Sequence, residues 1–190
     1  MIKFLNDETV GGHRYGKGAI VLLDSATEAA LIAQGDAVNY PAVAKPMEVL
    51  SSSAVAASCA STAADEILAS FTIAAGIVGP NSILQLEPLW TFANSANNKI
   101  LKVKVGSSTV YSATRTTSVK EAPLIVLANR NSLASQIQPY DNNYVTAGSG
   151  APATYTIDFS VNVTVQILGQ RAAAEALTLE YYRVLHFVGD

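Results

Sequence analysis

The sequence predicts a mainly β protein: an antiparallel β-sandwich, jelly-roll-like with about eight strands, preceded by a small strand-helix module. Three observations support this prediction. From residue 65 onward, apolar and polar residues alternate with the period of two that strands with one buried face require. Before residue 46, a short apolar run precedes a capped helical segment. Residues 47–64 lie between them and follow neither period, so we divide the chain into 1–46, 47–64 and 65–190.

The N-terminal module (1–46) is predicted to contain one strand and one helix. Residues 19–23 (AIVLL) form a short apolar run that indicates a buried strand. Ser25 and Glu28 have the spacing of a capping box, and Gly35 is a stop signal. One strand and a helix of under three turns bury little apolar surface, so we expect this module to need a partner surface.

Residues 47–64 are predicted to be a linker or an extended arm, because Ala and Ser dominate their composition. Their alanine content keeps a helix open as the alternative, since alanine is the best helix former. The serine triplet and the missing periodicity favour the linker.

The C-terminal part (65–190) is predicted to hold the strands of the sandwich. Gly106 and Ser107 separate two alternating runs by the two residues of a tight hairpin. The other predicted strands lie in EILASFTIAAG, SILQLEPLWTFAN, APLIVLANR and, more weakly, SLASQIQPY. APLIVLANR has the continuous apolar run of a buried strand.

Two long strands are predicted near the end of the chain. Residues 155–167 place seven apolar residues on one face, from Tyr155 to Ile167, and polar residues on the other. Residues 177–188 form the last strand, and we expect the two to pair as a hairpin at the centre of one sheet. Residues 141–153 are predicted to be an exposed loop.

Composition limits the classes of partner. Only 14% of the 190 residues are charged, against about 25% in average domains, which favours a surface covered by other subunits. The net charge is −3, with no cluster of Lys and Arg for nucleic acid. No apolar run suits a membrane helix or a signal peptide, so we expect a protein made in the cytoplasm and soluble until assembled. The only cysteine, Cys59, excludes an intrachain disulfide and is expected to be buried.

The stretch GGHRYGKG (11–18) is similar to a phosphate-binding loop, but its context differs. Such a loop follows a strand, precedes a helix, and has Ser or Thr after the lysine to hold magnesium. Here Gly18 takes that position and the strand-like run comes next. We therefore interpret the stretch as a glycine-rich turn that presents His13, Arg14, Tyr15 and Lys17.

No local signature of catalysis, of a cofactor or of a metal is found in the sequence. His13 and His186 have no ligand-like neighbours, and there is no nucleophile elbow. We expect no enzyme activity, although distant carboxylates could still form a glycosidase pair. Core or interface roles are favoured over a sugar-stacking platform for the aromatic residues that we considered: Trp90, Tyr111, Tyr140, Tyr144, Tyr181 and Tyr182.

Two segments resemble virion proteins of tailed bacteriophages. HRYGKGAIVLLDSATEAALIAQGDAV is similar to a segment that opens many small phage virion proteins, with its Arg-Tyr, its strand, its acidic-capped helix and its Gly-x-Ala stop. GIVGPNSILQLEPLWTFANSANNKILKVKVG is similar to the β-sandwich of head-decoration (cement) proteins, head fibres and tail-fibre tips.

This resemblance implies a structural virion protein on the capsid surface that decorates or cements neighbouring major capsid subunits. The implied partners are the major capsid protein and further copies of the chain, as a homodimer or, slightly preferred, a homotrimer. The implied capsid contacts are His13, Arg14, Tyr15, Lys17, Leu31 and Ile32. A head-fibre or tail-fibre module that recognises a host glycan is the alternative.

Overall fold

The chain folds into two compact units, each with its own hydrophobic core. They are Met1–Ala44 and Lys45–Asp190. The structure, a computed structural model, describes residues 2–21, 23–39, 47–60, 62, 64–139 and 150–189.

The first unit contains a three-stranded antiparallel sheet, a hairpin and a helix among its described residues. The elements are β1 (Ile2–Phe4), β2 (Glu8–Val10), β3 (His13–Tyr15), β4 (Ile20–Val21), α1 (Ser25–Gln34) and β5 (Ala37–Asn39). β1 lies between β4 and β5, and β2 pairs with β3. The core consists of Ile2, Phe4, Leu31 and Ala37.

Helix α1 is capped one residue earlier than the capping-box spacing predicts. The N-cap is Asp24, whose Oδ1 accepts a hydrogen bond from the Thr27 backbone N–H at 3.0 Å. Glu28 reaches back to accept a hydrogen bond from the Leu23 N–H at 3.0 Å. Gly35 ends the helix with φ 83°, as predicted.

The predicted strand at 19–23 is shorter and less buried than expected. It is reduced to β4, where Ile20 is 44% exposed. β4 is an edge strand of a small sheet, so it has a neighbouring strand on one side only.

The second unit is a sandwich of two antiparallel sheets, which confirms the predicted fold class. Its described residues form twelve strands and not about eight, because several of the strands are only two or three residues long. Its described strands are β6 (Met47–Ser53), β7 (Ala57–Ser58), β8 (Glu66–Ile73), β9 (Ile83–Phe92), β10 (Lys99–Val105), β11 (Ser108–Arg115), β12 (Lys120–Glu121), β13 (Ile125–Asn129), β14 (Gln136–Gln138), β15 (Ala153–Tyr155), β16 (Val163–Arg171) and β17 (Leu177–Phe187). The smaller sheet has the order β11-β10-β16-β8. The larger has the order β15-β14-β13-β9-β17-β6, with β12 beside β9 and β7 beside β17.

The prediction of a linker at 47–64 is wrong, because β6 and β7 both pair with β17. Leu50 packs against the sandwich core, and Cys59 is 3% exposed, as expected for a buried cysteine. An edge strand buries only part of one face, so a run of serines can occupy it. This is why the composition of the segment was misleading.

The predicted single strand at 155–167 is also wrong, because it is interrupted between β15 and β16. The interrupting residues Ile157 and Phe159 still point into the core, at 5% and 1% exposure. Their backbone is held without a ladder: the Phe159 N–H donates to the Leu133 carbonyl at 2.9 Å, and the Phe159 carbonyl accepts from the Gly76 N–H at 2.9 Å. Alternation therefore identified Ile157, Phe159 and the inward residues of β16, but it missed the break, where Val161 is 54% exposed.

The last two long strands, β16 and β17, lie in different sheets rather than forming the predicted hairpin. β16 pairs with β10 and β8, and β17 pairs with β9 and β6. Two strands that each have one apolar face can lie side by side in one sheet or face each other from two sheets. β16 and β17 face each other across the core of the sandwich.

Several local predictions hold. Gly106, with φ 59°, and Ser107 form the turn between β10 and β11. Strands lie where EILASFTIAAG, SILQLEPLWTFAN, APLIVLANR and SLASQIQPY predict them. Residues 140–149, which hold most of the predicted exposed loop, lie outside the described residues.

Candidate interaction surfaces

Three of the six predicted capsid contacts are exposed on the first unit. His13 and Arg14 lie on β3, and Lys17 lies in the turn that follows. Gly11 and Gly12, with φ of 58° and 82°, form the tight turn between β2 and β3. The stretch 11–18 is thus part of a hairpin and does not lead into a helix.

Asp7 holds this basic stretch in place. Its Oδ1 accepts a hydrogen bond from the Lys17 backbone N–H at 2.7 Å, and its Oδ2 lies 3.4 Å from Arg14 Nη2. The Lys17 hydrogen bond, and secondarily the Arg14 charge, lower the pKa of Asp7 despite partial desolvation. The carboxylate therefore fixes the backbone while leaving the His13 and Lys17 side chains exposed.

The other three predicted contacts pack inside the first unit. The Tyr15 ring stacks on Phe4 with centroids 5.1 Å apart. Leu31 is 8% exposed, and Ile32 packs against the same core. His13, Arg14 and Lys17 remain as the members of the predicted set that reach the surface; we call them the basic triplet.

The aromatic residues considered for a sugar platform are mostly internal. Trp90 is 0% exposed and stacks on Tyr111 at 6.2 Å. Tyr182 stacks on Phe71 at 6.0 Å, whereas Tyr181 is 43% exposed. Tyr140 and Tyr144 lie outside the described residues. The favoured core interpretation therefore holds for Trp90, Tyr111 and Tyr182.

A polar network links the two sheets next to Trp90. Arg115 on β11 holds Glu121 on β12 through two hydrogen bonds of 2.7 Å, from Nε to Oε2 and from Nη2 to Oε1. The Tyr111 hydroxyl donates to the same carboxylate. Burial raises the pKa of Glu121, but the hydrogen bonds from Arg115 and Tyr111 outweigh it, so the pKa is lowered overall. Burial and the Glu121 charge raise the pKa of Tyr111.

This network makes the stability of the sandwich dependent on pH in two opposite directions. Glu121, with its lowered pKa, stabilises the fold above its ordinary pKa of 4.5, and we expect that stabilisation to be lost as pH falls through the folded value. Tyr111, with its raised pKa, favours the fold below its ordinary pKa of 10.0, and that contribution is lost as pH rises further. The test is denaturant unfolding between about pH 3 and pH 11, followed by the fluorescence of the single tryptophan, Trp90.

We expect Glu121→Gln to flatten the acid side of the stability profile and Tyr111→Phe to flatten the alkaline side. The flattening should be partial on both sides, because hydrogen bonds also lower the pKa of Asp158 and of Glu175, and burial also raises the pKa of Tyr155. Profiles that run parallel to the wild-type curve would contradict this assignment.

A polar cleft of about 560 Å³ lies beside the turn between β10 and β11. Its described lining residues are Gly106, Ser107, Thr156, Ile157, Asp158, Val161, Asn162, Val163, Thr164 and Gln166. Asp158 Oδ1 accepts from the Ser160 N–H at 2.8 Å, and Asn162 Oδ1 accepts from the Ala75 N–H at 3.0 Å. Hydrogen bonds from Ser160 lower the pKa of Asp158. The two side chains thus hold the loop that forms the cleft.

The outward side of the larger sheet is rich in apolar residues, and we call it the outer face. The strand register places Met47, Phe187, Ile83, Ala128 and Ile137 in one row across five strands, β6, β17, β9, β13 and β14. The next row contains Val49, Leu185, Gln85 and Val126. The exposed fractions are 48% for Met47, 56% for Val49 and 37% for Ile83.

The outer face also contains a hollow of about 400 Å³. It is lined by Val126, Ala128, Ile137, Gln138, Pro139 and Pro152. Its lining is almost wholly apolar, unlike that of the polar cleft.

The sequence analysis missed the outer face, although it contained a signal. The continuous apolar run of β13 predicts a strand buried on both faces, and Ile125 and Leu127 are indeed in the core. Val126 and Ala128 point the other way and are only partly covered. The pattern could identify an apolar second face but not the strands on either side that extend it.

The described residues contain no group of three or more His, Cys, Asp or Glu side chains placed to hold a metal. His186 lies in β17 at 2% exposure, and its Nδ1 is 2.9 Å from Glu48 Oε1. Within the described ranges, no helix has the length and apolarity to cross a membrane.

Comparisons with known proteins give only weak structural similarity. No family model and no curated protein matches the chain. The CBM2 module of the evolved Dit of Lactobacillus casei BL23 phage J-1 is 13% identical, with a TM-score of 0.32, over 64% of this chain and 70% of that one. A structure of infectious bursal disease virus, Gt strain, is 13% identical (TM-score 0.31; 93% and 39% covered). The VP2 subviral particle of that virus is 9% identical (TM-score 0.29; 77% and 42% covered). This chain thus spans less than half the length of the two bursal disease virus chains.

Proposed function

We propose that this protein is a non-enzymatic structural component of a bacteriophage virion that binds the outside of the capsid and cements neighbouring major capsid subunits. One observation carries the proposal: the chain has two units with separate cores, a small one with an exposed basic triplet and a larger sandwich. The Glu121 and Asp158 carboxylates of the sandwich hold its own sheets and loops. The resemblance of both segments to phage virion proteins supports the same function.

In this proposal the first unit attaches to the capsid and the sandwich is the outward body. The basic triplet is exposed on one hairpin, where it can meet acidic groups of a capsid subunit. Contacts to two neighbouring subunits stabilise the shell, because each square ångström of apolar surface removed from water contributes about 25 cal/mol before the costs of association. A ligand that binds only the assembled shell shifts the equilibrium toward assembly.

The proposal is tested by removing the basic triplet without disturbing the core of its unit. We expect the triple variant His13→Ala, Arg14→Ala, Lys17→Ala to lose capsid attachment by at least about tenfold, the effect of losing about 1.4 kcal/mol. The measurement is co-sedimentation of the purified chain with capsids that lack it. Tyr15 stays in place because it stacks on Phe4.

The matched control removes basic groups from the sandwich instead, with Lys104→Ala and Arg130→Ala. These variants should attach like wild type. An equal loss of capsid attachment in both sets of variants would mean that the chain is attracted to capsids only by non-specific charge. A wild-type chain that attaches to no capsid would refute the proposal.

A glycan-recognition module remains the second candidate, and the polar cleft is the observation that favours it. Its lining offers hydroxyl and amide groups of the kind that bind sugars, although the described lining residues include no aromatic ring. A glycan array probed with the full chain decides this candidate: we expect Gln166→Ala and Ser107→Ala to abolish any signal that arises at the cleft. A signal that both variants retain would exclude the cleft as its source.

A further inference from the structure

We propose that the outer face of the larger sheet is a two-fold interface with a second copy of this chain. The proposal does not depend on capsid binding, because it concerns the sandwich unit and the association of the purified chain with itself.

The size of the outer face suits a protein contact. Five strands at about 4.8 Å spacing and seven residues of β17 at about 3.3 Å each give a plan area on the order of 500 Å². The two apolar rows make up part of this area and the Arg183–Glu87 row makes up another part; exposed apolar patches of a few hundred Å² on monomers commonly mark interaction sites. A standard interface takes about 800 Å² from each partner, so the patch would form the centre and the polar residues around it the rim.

The outer face has apolar residues of the kind found on a sheet that is covered by another layer. Val126 and Ala128 give β13 apolar residues on both faces, a pattern typical of strands with a layer on either side. Leu185 also points outward, yet its own neighbours reduce its exposure to 6%. Exposed Met47, Val49 and Ile83 would surround it in the same contact.

The charges of the outer face indicate that the occupant is another copy. Arg183 and Glu87 are paired across β17 and β9, between the apolar rows and the exposed Tyr181. Arg183 Nε and Nη2 lie 3.0 Å and 2.5 Å from Glu87 Oε2. One acid and one base side by side give a surface that complements itself after a two-fold rotation, since each Arg183 can then face the other copy's Glu87. The Arg183–Glu87 pair has no net charge, so it does not complement a strongly charged partner.

The β6 edge of the larger sheet, one of its two edges, is less suited to self-association than the face. Glu48 of β6 points inward to His186. A register shift lies between Val184 and Leu185 where β17 meets β6. Inward charges and bulges are devices by which edge strands avoid pairing with other chains. Packing face to face buries the same surface on both copies, which yields a dimer and not the trimer preferred from the sequence.

The first experiment places a charge on the outer face and, as a control, on the opposite sheet. We expect the wild-type chain to sediment as a dimer at about 10 µM and Ile83→Glu to raise the dissociation constant by at least about 100-fold, because the new carboxylate would be buried without a partner. Ile67→Glu is the matched control, since Ile67 is 52% exposed on β8 of the smaller sheet. Trp90 fluorescence would show that both variants remain folded.

The second experiment uses the central ion pair. Arg183→Glu makes the pair wholly acidic and Glu87→Arg makes it wholly basic, so each variant alone should be mainly monomeric. Mixing the two should restore dimers, because the acidic face of one copy then meets the basic face of the other. An ion pair that acts only within one chain could not be restored by mixing.

Three results would overturn the proposal. They are a wild-type chain that stays monomeric at about 100 µM, a wild-type trimer, and an Ile67→Glu variant that dissociates as strongly as Ile83→Glu. Capsid attachment of the basic-triplet variant is a separate measurement, so failure of the dimer and failure of the capsid proposal are distinguishable.

Discussion

Replacing Gln136 by leucine should lower the free energy of unfolding of the sandwich by about 3–5 kcal/mol. Gln136 is fully buried, and its side-chain amide serves as the ladder partner of Ile157. Its Oε1 accepts from the Ile157 N–H at 2.8 Å, and its Nε2 donates to the Ile157 carbonyl at 3.0 Å. Nε2 also donates to Asn129 Oδ1 at 3.0 Å. Leucine has a similar size but leaves these buried groups unpaired, at a cost of about 1–3 kcal/mol each.

Two further variants separate the hydrogen bonds from packing. Gln136→Glu keeps the acceptor for the Ile157 N–H but turns carboxylate oxygens toward the Ile157 carbonyl and Asn129. Its folded pKa would therefore be raised, and stability should be regained as pH falls and the acid becomes a donor. Gln166→Leu, on the outward side of β16, should change stability by less than about 0.5 kcal/mol. A Gln136→Leu protein as stable as wild type would show that the amide contributes nothing to holding Ile157.

The role of Gln136 also explains why the sequence predicts a strand at 155–167 where the structure has a break. Ile157 and Phe159 keep the alternation of a strand because they line the core. The backbone of Ile157 bonds to the side chain of Gln136, about twenty residues earlier in the chain, and that of Phe159 bonds to the backbone of Leu133 and Gly76. Periodicity reports which side chains are buried, whereas the hydrogen-bond partner of each backbone group depends on the tertiary fold.

The same limit applies to how the strands are assigned to sheets. The buried residues of β16 were identified correctly, but a strand with one apolar face can lie either beside a neighbouring strand or opposite a facing one. On β17 the alternation from Leu177 was wrong beyond Leu179, because a register shift there turns Tyr181 outward and packs Tyr182 against the core. At 47–64, β6 is an edge strand, and its sequence lacks the alternation of apolar and polar residues that would have predicted a strand. The sequence was most informative where one strand carries a complete pattern, as in β10, and least informative where the pattern spans several strands, as on the outer face.

The candidate surfaces divide in a similar way. His13, Arg14 and Lys17 are exposed as the glycine-rich turn predicts, because a tight hairpin turn places its flanking residues in solvent. Tyr15 was assigned with them from the glycine-rich turn and from the Arg-Tyr of the phage-like segment, but its stacking on Phe4 depends on β1, which the sequence did not predict. A residue can therefore be placed in a turn from sequence, while the direction of its side chain requires the neighbouring strand.

Lys99 is the other position where a single substitution should have a large effect. It shares the inward face of β10 with Leu101, and its side chain is 0% exposed. Nζ donates to Ser95 Oγ at 2.8 Å, to the Asn97 carbonyl at 2.9 Å and to Glu175 Oε1 at 3.3 Å. The ammonium therefore holds the loop that precedes β10. We expect Lys99→Ala to lower the free energy of unfolding by about 3–5 kcal/mol, from the lost packing of its stem and the lost hydrogen bonds.

Lys99→Met separates these two contributions, because methionine restores the apolar stem without the ammonium. It should cost about 1–3 kcal/mol in denaturant unfolding, since the Asn97 carbonyl loses its donor. Lys102→Ala is the control on the same strand: its ion pair with Asp65 is 2.8 Å long, with both side chains 26% exposed, and its loss should cost less than about 1 kcal/mol. A Lys99→Met protein more stable than wild type would mean that removing the ammonium from water costs more than its hydrogen bonds return. The loop would then be held by Ser95 and Glu175, whose direct hydrogen bond is 2.8 Å long, without need of the lysine.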